Sequence, residues 1–246
     1  MPSQSEAAAS DSLCIYGDSH VASVKLAWDQ GLIDAQGRKV GFWGAAGPSF
    51  RGLRWKQGRI VADAGAQADL DLVRGDGPET LGAKDFGAYL FYGARLRLSE
   101  FLLELSAASY LSQAALEAAT WEFMMSTRTY RFARNFAKAG APVWFVPTSL
   151  PTQGVFPPKE EAAKVGIDLA PQEVDRAFAM LRKLAAKDRV TMVIQPPETL
   201  TDEFLTRREF AVENADAARD VVHKSPEFAA LMVAQVLDQM KNAKAA

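Results

Sequence analysis

Cysteine occurs once in the 246 residues, at Cys14, and histidine twice, at His20 and His223. A single cysteine closes no internal disulfide, so nothing here calls for an oxidising compartment. Set in an apolar stretch, Cys14 reads as a buried, inert thiol. Two distant histidines and one cysteine make no cluster with metal-ligand spacing, and there is no Gly-rich phosphate loop, so neither metal nor cofactor is implied. Charge of one sign is also lacking: 28 Lys and Arg stand against 30 Asp and Glu, spread along the chain, for a net −2. That balance leaves no electrostatic footprint for nucleic acid or for an anionic membrane surface. No stretch approaches the roughly 18 unbroken apolar residues that a membrane-spanning helix needs. The opening MPSQSEAAASDS has neither the basic start nor the apolar centre of a secretory leader. The expected setting is the cytoplasm, although a mature form that has lost its leader would look the same, and residues 1–11 read as a frayed tail.

What the chain does have is apolar residues, 48 % of the total, enough for a substantial core. Five short apolar runs are bounded by turn residues: LCIY (13–16), KVGFW (39–43), AYLFY (88–92), PVWFV (142–146) and VTMVI (190–194). None shows clean polar alternation, which suits strands covered on both faces. Helical segments fall between them. Leu102, Leu103, Leu111, Leu116, Trp121, Phe123, Tyr130 and Phe136 mark one such segment from about Ser99 to Ala139, with Gly140 and Pro142 as its stop. Pro171 and an acidic first turn predict a helix over 171–187, and PEFAALMVAQVLDQMKN predicts another over 226–242. Strands alternating with helices imply an α/β fold: a single doubly wound, mainly parallel five-stranded sheet in a three-layer, flavodoxin-like sandwich, spanning residues 12–246. Residues 51–86 fit least well. WKQGRIVA reads as a hairpin turning at Gln57 and Gly58, RGDGPETLGAKD as loop, and the whole as an excursion with too few large apolar residues for its own core.

The candidate chemistry lies at the two histidines. LCIYGDSH ends an apolar strand abruptly at Gly-Asp-Ser-His, which places Ser19 at the carboxyl edge of the sheet, where open α/β sheets bind ligands. DVVHKSPEF puts His223 three residues after Asp220, just before the last helix. A serine needs a base to take its proton, and the imidazole needs a carboxylate to fix its tautomer. Taken singly, each of these residues is also an ordinary turn or surface residue.

The paired blocks resemble the GDSL or SGNH hydrolase superfamily, with its nucleophile in a Gly-Asp-Ser block near the N-terminus and Asp-x-x-His near the C-terminus. The resemblance spans about residues 12–242 and implies Ser19 as nucleophile, His223 as base and Asp220 as its orienting partner. It also implies an oxyanion glycine after the second strand, where GFWGAAGPSF offers Gly44 and Gly47, with Gly47 favoured. Two departures stand out. His20 replaces the usual leucine, and in FYGARLRL, Arg95 stands where the third block's asparagine is expected, two residues after the matching Gly93. Asn135 and Asn214 are the candidates from elsewhere, and neither has the expected position.

The implied activity is a serine esterase acting on a small or carbohydrate-borne acyl ester, with no cofactor. Two alternatives remain open: an O-acyltransferase passing the same acyl group to a glycan hydroxyl, and a non-catalytic glycan- or partner-binding protein on this scaffold. Trp43, Phe50, Tyr92, Trp144 and Phe145 read as core, with Trp43 and Phe50 also able to wall a sugar site. The Pro-rich loop TSLPTQGVFPPKEE (148–161) reads as a lid or acceptor-side wall.

Overall fold

The computed structural model describes residues 11–107, 112–155 and 169–245. Five strands form one sheet: β1 (Ser12–Gly17), β2 (Lys39–Gly44), β6 (Ala88–Arg97), β7 (Val143–Thr148) and β8 (Val190–Met192). Their order is β2-β1-β6-β7-β8 and every pairing is parallel. This is the α/β class that the alternation of strands and helices predicts, and all five apolar runs became strands. The reason is visible in β1. Cys14 and Tyr16 point into one apolar layer while Leu13 and Ile15 point into the other, so none of these four positions is free to be polar.

One face of the sheet carries α1 (Val21–Asp29) and α8 (Pro226–Ala245), through Val21, Val24, Ala27, Phe228, Met232 and Val236. The other carries α5 (Arg128–Lys138) and α6 (Pro171–Lys187), with Tyr130, Phe136, Phe178 and Leu181 buried against Phe91 and Phe145. Helix α6 begins at the predicted Pro171, and Glu173 accepts from the Ala170 amide at 3.0 Å, satisfying a donor at the helix start.

Among the described residues, the helical segment predicted from Ser99 to Ala139 holds three helices, α3 (Leu98–Ser106), α4 (Gln113–Ser126) and α5; residues 108–111, Leu111 among them, lie outside the described residues. Capping chemistry makes the breaks. Ser112 Oγ accepts from the Ala115 amide at 3.1 Å to start α4, and Thr127 turns extended between α4 and α5. Gly140, at φ +91°, ends α5 as expected.

Within 51–86 the hairpin is present: β3 (Leu53–Lys56) pairs antiparallel with β4 (Arg59–Ala62), and Gln57 and Gly58 take the left-handed turn between them. Two elements there were not anticipated, helix α2 (Gln67–Arg74) and the short β5 (Leu81–Gly82) paired with β4. Leu53, Ile60, Leu70 and Leu81 join the same apolar layer as Tyr16 and Phe91. Residues 1–10 of the expected tail lie outside the described residues, while the carbonyl of Asp11 accepts from the Lys39 amide at 3.1 Å. No helix among the described residues is long and apolar enough to cross a membrane.

Where β1 ends, the strands approach too closely for side chains. A Cβ on Gly17 would overlap the carbonyl oxygen of Tyr92 and come within 2.6 Å of Val21 Cγ2. Gly17→Ala is therefore expected to destabilise the fold by about 1–3 kcal/mol, whereas Leu72→Ala, at a side chain 80 % exposed, changes little. Urea unfolding of both variants checks this; equal midpoints would refute it.

Candidate active site

Leaving β1, the chain passes through Asp18 and Ser19 directly into α1, whose first amides bond back: Val21 N to the Asp18 carbonyl at 3.0 Å and Ala22 N to the Ser19 carbonyl at 3.2 Å. This sharp strand-to-helix turn leaves Ser19 at the sheet's edge, half-buried. At the far end of the chain, the segment between α7 (Ala215–Ala218) and α8 carries Asp220 and His223. Asp220 Oδ1 accepts from the amides of Val222, 3.0 Å, and His223, 2.9 Å. Folding the carboxylate back on its own turn leaves Oδ2 for the ring, 2.7 Å from His223 Nδ1. Nε2 of His223 lies 2.7 Å from Ser19 Oγ, across 204 residues of sequence. Burial would raise the Asp220 carboxyl, but the bonds from His223 and Val222 outweigh it and hold the group well below the usual carboxylate range. Asp220 therefore stays charged and accepts from Nδ1–H, leaving Nε2 able to take a proton from Ser19.

The nearby Asp216 plays no part in this chain. It is exposed and paired with Arg208.

Lys224, next to His223, was not anticipated as a site residue. It is 3 % exposed, and its Nζ donates to the carbonyls of Val221, 3.0 Å, and Val222, 2.8 Å, the two residues between Asp220 and His223. Its own carbonyl accepts from Ser23 Oγ on α1 at 2.7 Å, which ties the turn of His223 to the helix that follows Ser19. Burial pushes the amine down to about 7, against the charge of Asp220. A lysine before a helix reads in sequence as solvated, so only the fold reveals this one.

Opposite lies Arg95. Gly93, Ala94 and Arg95 all have positive φ, +69°, +28° and +61°, and the register of β6 against β7 shifts there. Two non-glycine residues in this region cost about 1–3 kcal/mol each. The turn is pinned by Thr148 Oγ1, which donates to the Gly93 carbonyl at 2.8 Å, and by Thr129 Oγ1, which donates to the Ala94 carbonyl. Arg95 Nη2 donates to the Gly47 carbonyl at 2.7 Å, Nε lies 3.6 Å from Asp18 Oδ2, and the guanidinium sits 5.2 Å over the Phe50 ring.

An open cleft of about 1370 Å3, counting space open to solvent, brings Ser19, His223, Asp220 and Arg95 together with Asp18, His20, Arg97 and Arg219. Gly44 and Gly47 do not line it. Gly44 packs within β2 against the Gly17 backbone, and Gly47, at φ +51°, meets the site through its bond with Arg95. Asn135 lies on α5 and Asn214 precedes α7; neither lines the cleft. Trp43 and Phe50 are fully buried, so the sugar-stacking wall considered from sequence is absent; Phe50 instead seats Arg95. Of the expected lid, Thr148, Ser149 and Pro151 line the cleft, and residues 156–161 lie outside the described residues. Cys14 is buried as expected, and burial raises its thiol.

No family model matches the chain, and no curated protein does. Among solved structures, the fold is similar to that of a putative acylhydrolase from Bacteroides fragilis, with TM-score 0.44 and 13 % identity over 94 % of this chain and 88 % of that one. It is similar also to a GDSL-like lipase from Bacteroides thetaiotaomicron, with TM-score 0.41 and 10 % identity over 97 % and 91 % of the two chains.

Lys224 generates a test by pH. An unfolded lysine titrates near ~10.4, so between about 7 and that value the unfolded chain holds one more proton than the folded one, and folding gains as pH rises. The melting temperature of the wild type relative to Lys224→Met should therefore rise between about pH 6.5 and pH 9.5. A difference that stays flat or falls, measured by calorimetry, would rule out the buried amine.

Proposed function

We propose that this protein is a serine acyl-ester hydrolase with Ser19 as nucleophile, His223 as general base and Asp220 as the carboxylate that orients it. The observation that carries this reading is the continuous hydrogen-bonded chain from Asp220 Oδ2 through both ring nitrogens of His223 to Ser19 Oγ, 2.7 Å at each step, opening on a cleft. In the reaction, Ser19 Oγ attacks the ester carbonyl while its proton passes to His223 Nε2. The tetrahedral intermediate collapses, the alcohol leaves with that proton, and an acyl-enzyme remains on Ser19. Water then attacks the acyl carbon, giving a proton to the same Nε2, and the carboxylic acid departs as Ser19 regains its hydrogen. The chain's net charge changes at no step.

The developing oxyanion needs donors. The Arg95 guanidinium, which lines the cleft together with Ser19, is the donor proposed, standing in for the missing asparagine. A charged donor strengthens as the oxyanion forms, and its bonds to Gly47 and over Phe50 hold it before the reaction starts.

The decisive experiment is a fluorophosphonate probe followed by peptide mapping. Ser19 is expected to be labelled, and Ser19→Ala and His223→Ala are each expected to abolish both labelling and cleavage of a small aryl ester while remaining folded. Near-normal turnover in either variant would sink the assignment. Asp220→Asn should be severely impaired through loss of the orienting charge, while Asp216→Asn, whose carboxylate faces Arg208, retains activity. The reverse ranking would move the orienting role elsewhere.

Arg95→Ala separates two roles. As an oxyanion donor, its loss lowers kcat and kcat/KM together, by roughly 10²–10³, on neutral and acidic esters alike. A rise in KM confined to acidic esters would show instead that it holds an anionic group of the substrate.

A further inference from the structure

The two positions at which the sequence departs from the GDSL pattern meet at one carboxylate. His20, in place of leucine, puts Nδ1 2.6 Å from Asp18 Oδ1, and its amide donates to the same oxygen at 3.2 Å. Arg95, in place of asparagine, puts Nε 3.6 Å from Asp18 Oδ2. Asp18 is deeply buried, its side chain only 6 % exposed. Burial would raise its carboxyl, but the hydrogen bonds from the His20 ring and amide and the nearby Arg95 guanidinium hold it below its ordinary value, so it stays ionised. A buried carboxylate with one partner removed is costly, because the remaining charge is left without compensation. With leucine at position 20 Oδ1 would keep only an amide; with asparagine at 95 Oδ2 would lose its counter-charge. Each departure makes sense in the presence of the other.

Geometry extends the network in both directions. The His20 ring lies 4.8 Å from the His223 ring, inclined by 35°, so it backs the proposed base. With Nδ1–H directed at Asp18, Nε2 of His20 has no hydrogen-bond partner among the described residues. Gly93 is packed on the same ring: a Cβ there would sit 2.7 Å from His20 Cβ and Cγ. His20 thus touches both His223 and the left-handed turn that presents Arg95.

We propose that Asp18, His20 and Arg95 act as one positioning unit, in which the carboxylate sets the His20 ring behind His223 and anchors the Arg95 guanidinium beside Ser19, so that the changes at positions 20 and 95 compensate one another. Asp18 and His20 need not touch the reacting atoms; their effect is on where His223 and Arg95 stand. The inference rests on the serine-hydrolase reading for its kinetic consequences and on geometry alone for the coupling itself.

A double-mutant cycle tests it, with His20→Leu, Arg95→Asn and the pair together, read as kcat and KM on 4-nitrophenyl acetate. Each single change is expected to lower kcat/KM by about tenfold or more, chiefly through kcat, and the double variant to lose no more than the worse single, a coupling of about tenfold. Losses that multiply to within about twofold overturn the unit. His20→Asn, which keeps a donor toward Asp18, should retain more kcat than His20→Leu; equal losses also count against the proposal. Were the wild type to show neither turnover nor Ser19 labelling, the hydrolase reading would fail and the unit would be judged on the imidazoles alone. The chain has only two histidines, so labelling with 15N-histidine resolves both: Arg95→Asn should move the His20 ring resonances and His20→Leu those of His223. Unmoved resonances would refute the coupling.

Discussion

Everything at the site depends on how closely three backbones meet at Gly17. In the parallel register, Gly17 lies opposite Gly44 on one side and Tyr92 on the other, and neither Gly17 nor Gly44 has room for a Cβ. Because β1 is flanked by β2 and β6, the turn that follows Gly17 emerges in the interior of the sheet edge and not at its margin. The ends of the neighbouring strands then supply what stands opposite Ser19: the bulged end of β6 carries Arg95, and the loop after β2 carries Gly47 and Phe50, which seat it. A bulkier residue at that node would push the strands apart and separate these groups.

Two imidazole–carboxylate pairs result, and they are built alike. Asp18 accepts from one main-chain amide of its own turn and Asp220 from two, and each also meets a ring Nδ1, over spacings of two and three residues. Such local loops organise each pair before any long-range contact forms. What joins the pairs is packing: α1 and α8 share one apolar layer, and the Ser23–Lys224 bond fixes the segment around His223 against the helix that begins after Ser19. Lys224 sits at that joint with its amine buried, donating to the carbonyls of Val221 and Val222.

Legibility followed the range of the interaction. Strands such as β1 and β7, buried along their whole length, announce themselves as apolar runs, and the edge strands β2 and β8, partly exposed, also lay where such runs occur, as did β6. The starts of α6 and α8 were marked by Pro171 and Pro226, a local signal. The division of 98–138 into three helices was hidden because its breaks rest on Ser112 and Thr127, single polar residues inside a continuous apolar rhythm. Helix α2 and strand β5 were missed for a related reason: each is short and buries few side chains, Leu70 in one and Leu81 beside Gly82 in the other, too few to form a pattern.

The same division runs through the site. Gly-Asp-Ser at the end of an apolar strand and Asp-x-x-His before a helix are written in adjacent residues, so the sequence by itself determined which serine, histidine and aspartate were candidates and that Asp220 belongs with His223. It also exposed Arg95 as the departure from the expected asparagine. Only the tertiary structure decided that Ser19 and His223 stand 2.7 Å apart across 204 residues. It decided too that Arg95 turns to Asp18 and the Gly47 carbonyl, that Phe50 is a buried seat for it, and that Lys224 is enclosed and not solvated. The physical reason is that turn chemistry acts over two to four residues and leaves its mark there, whereas burial and charge pairing between distant segments arise only when the two apolar layers close on the sheet.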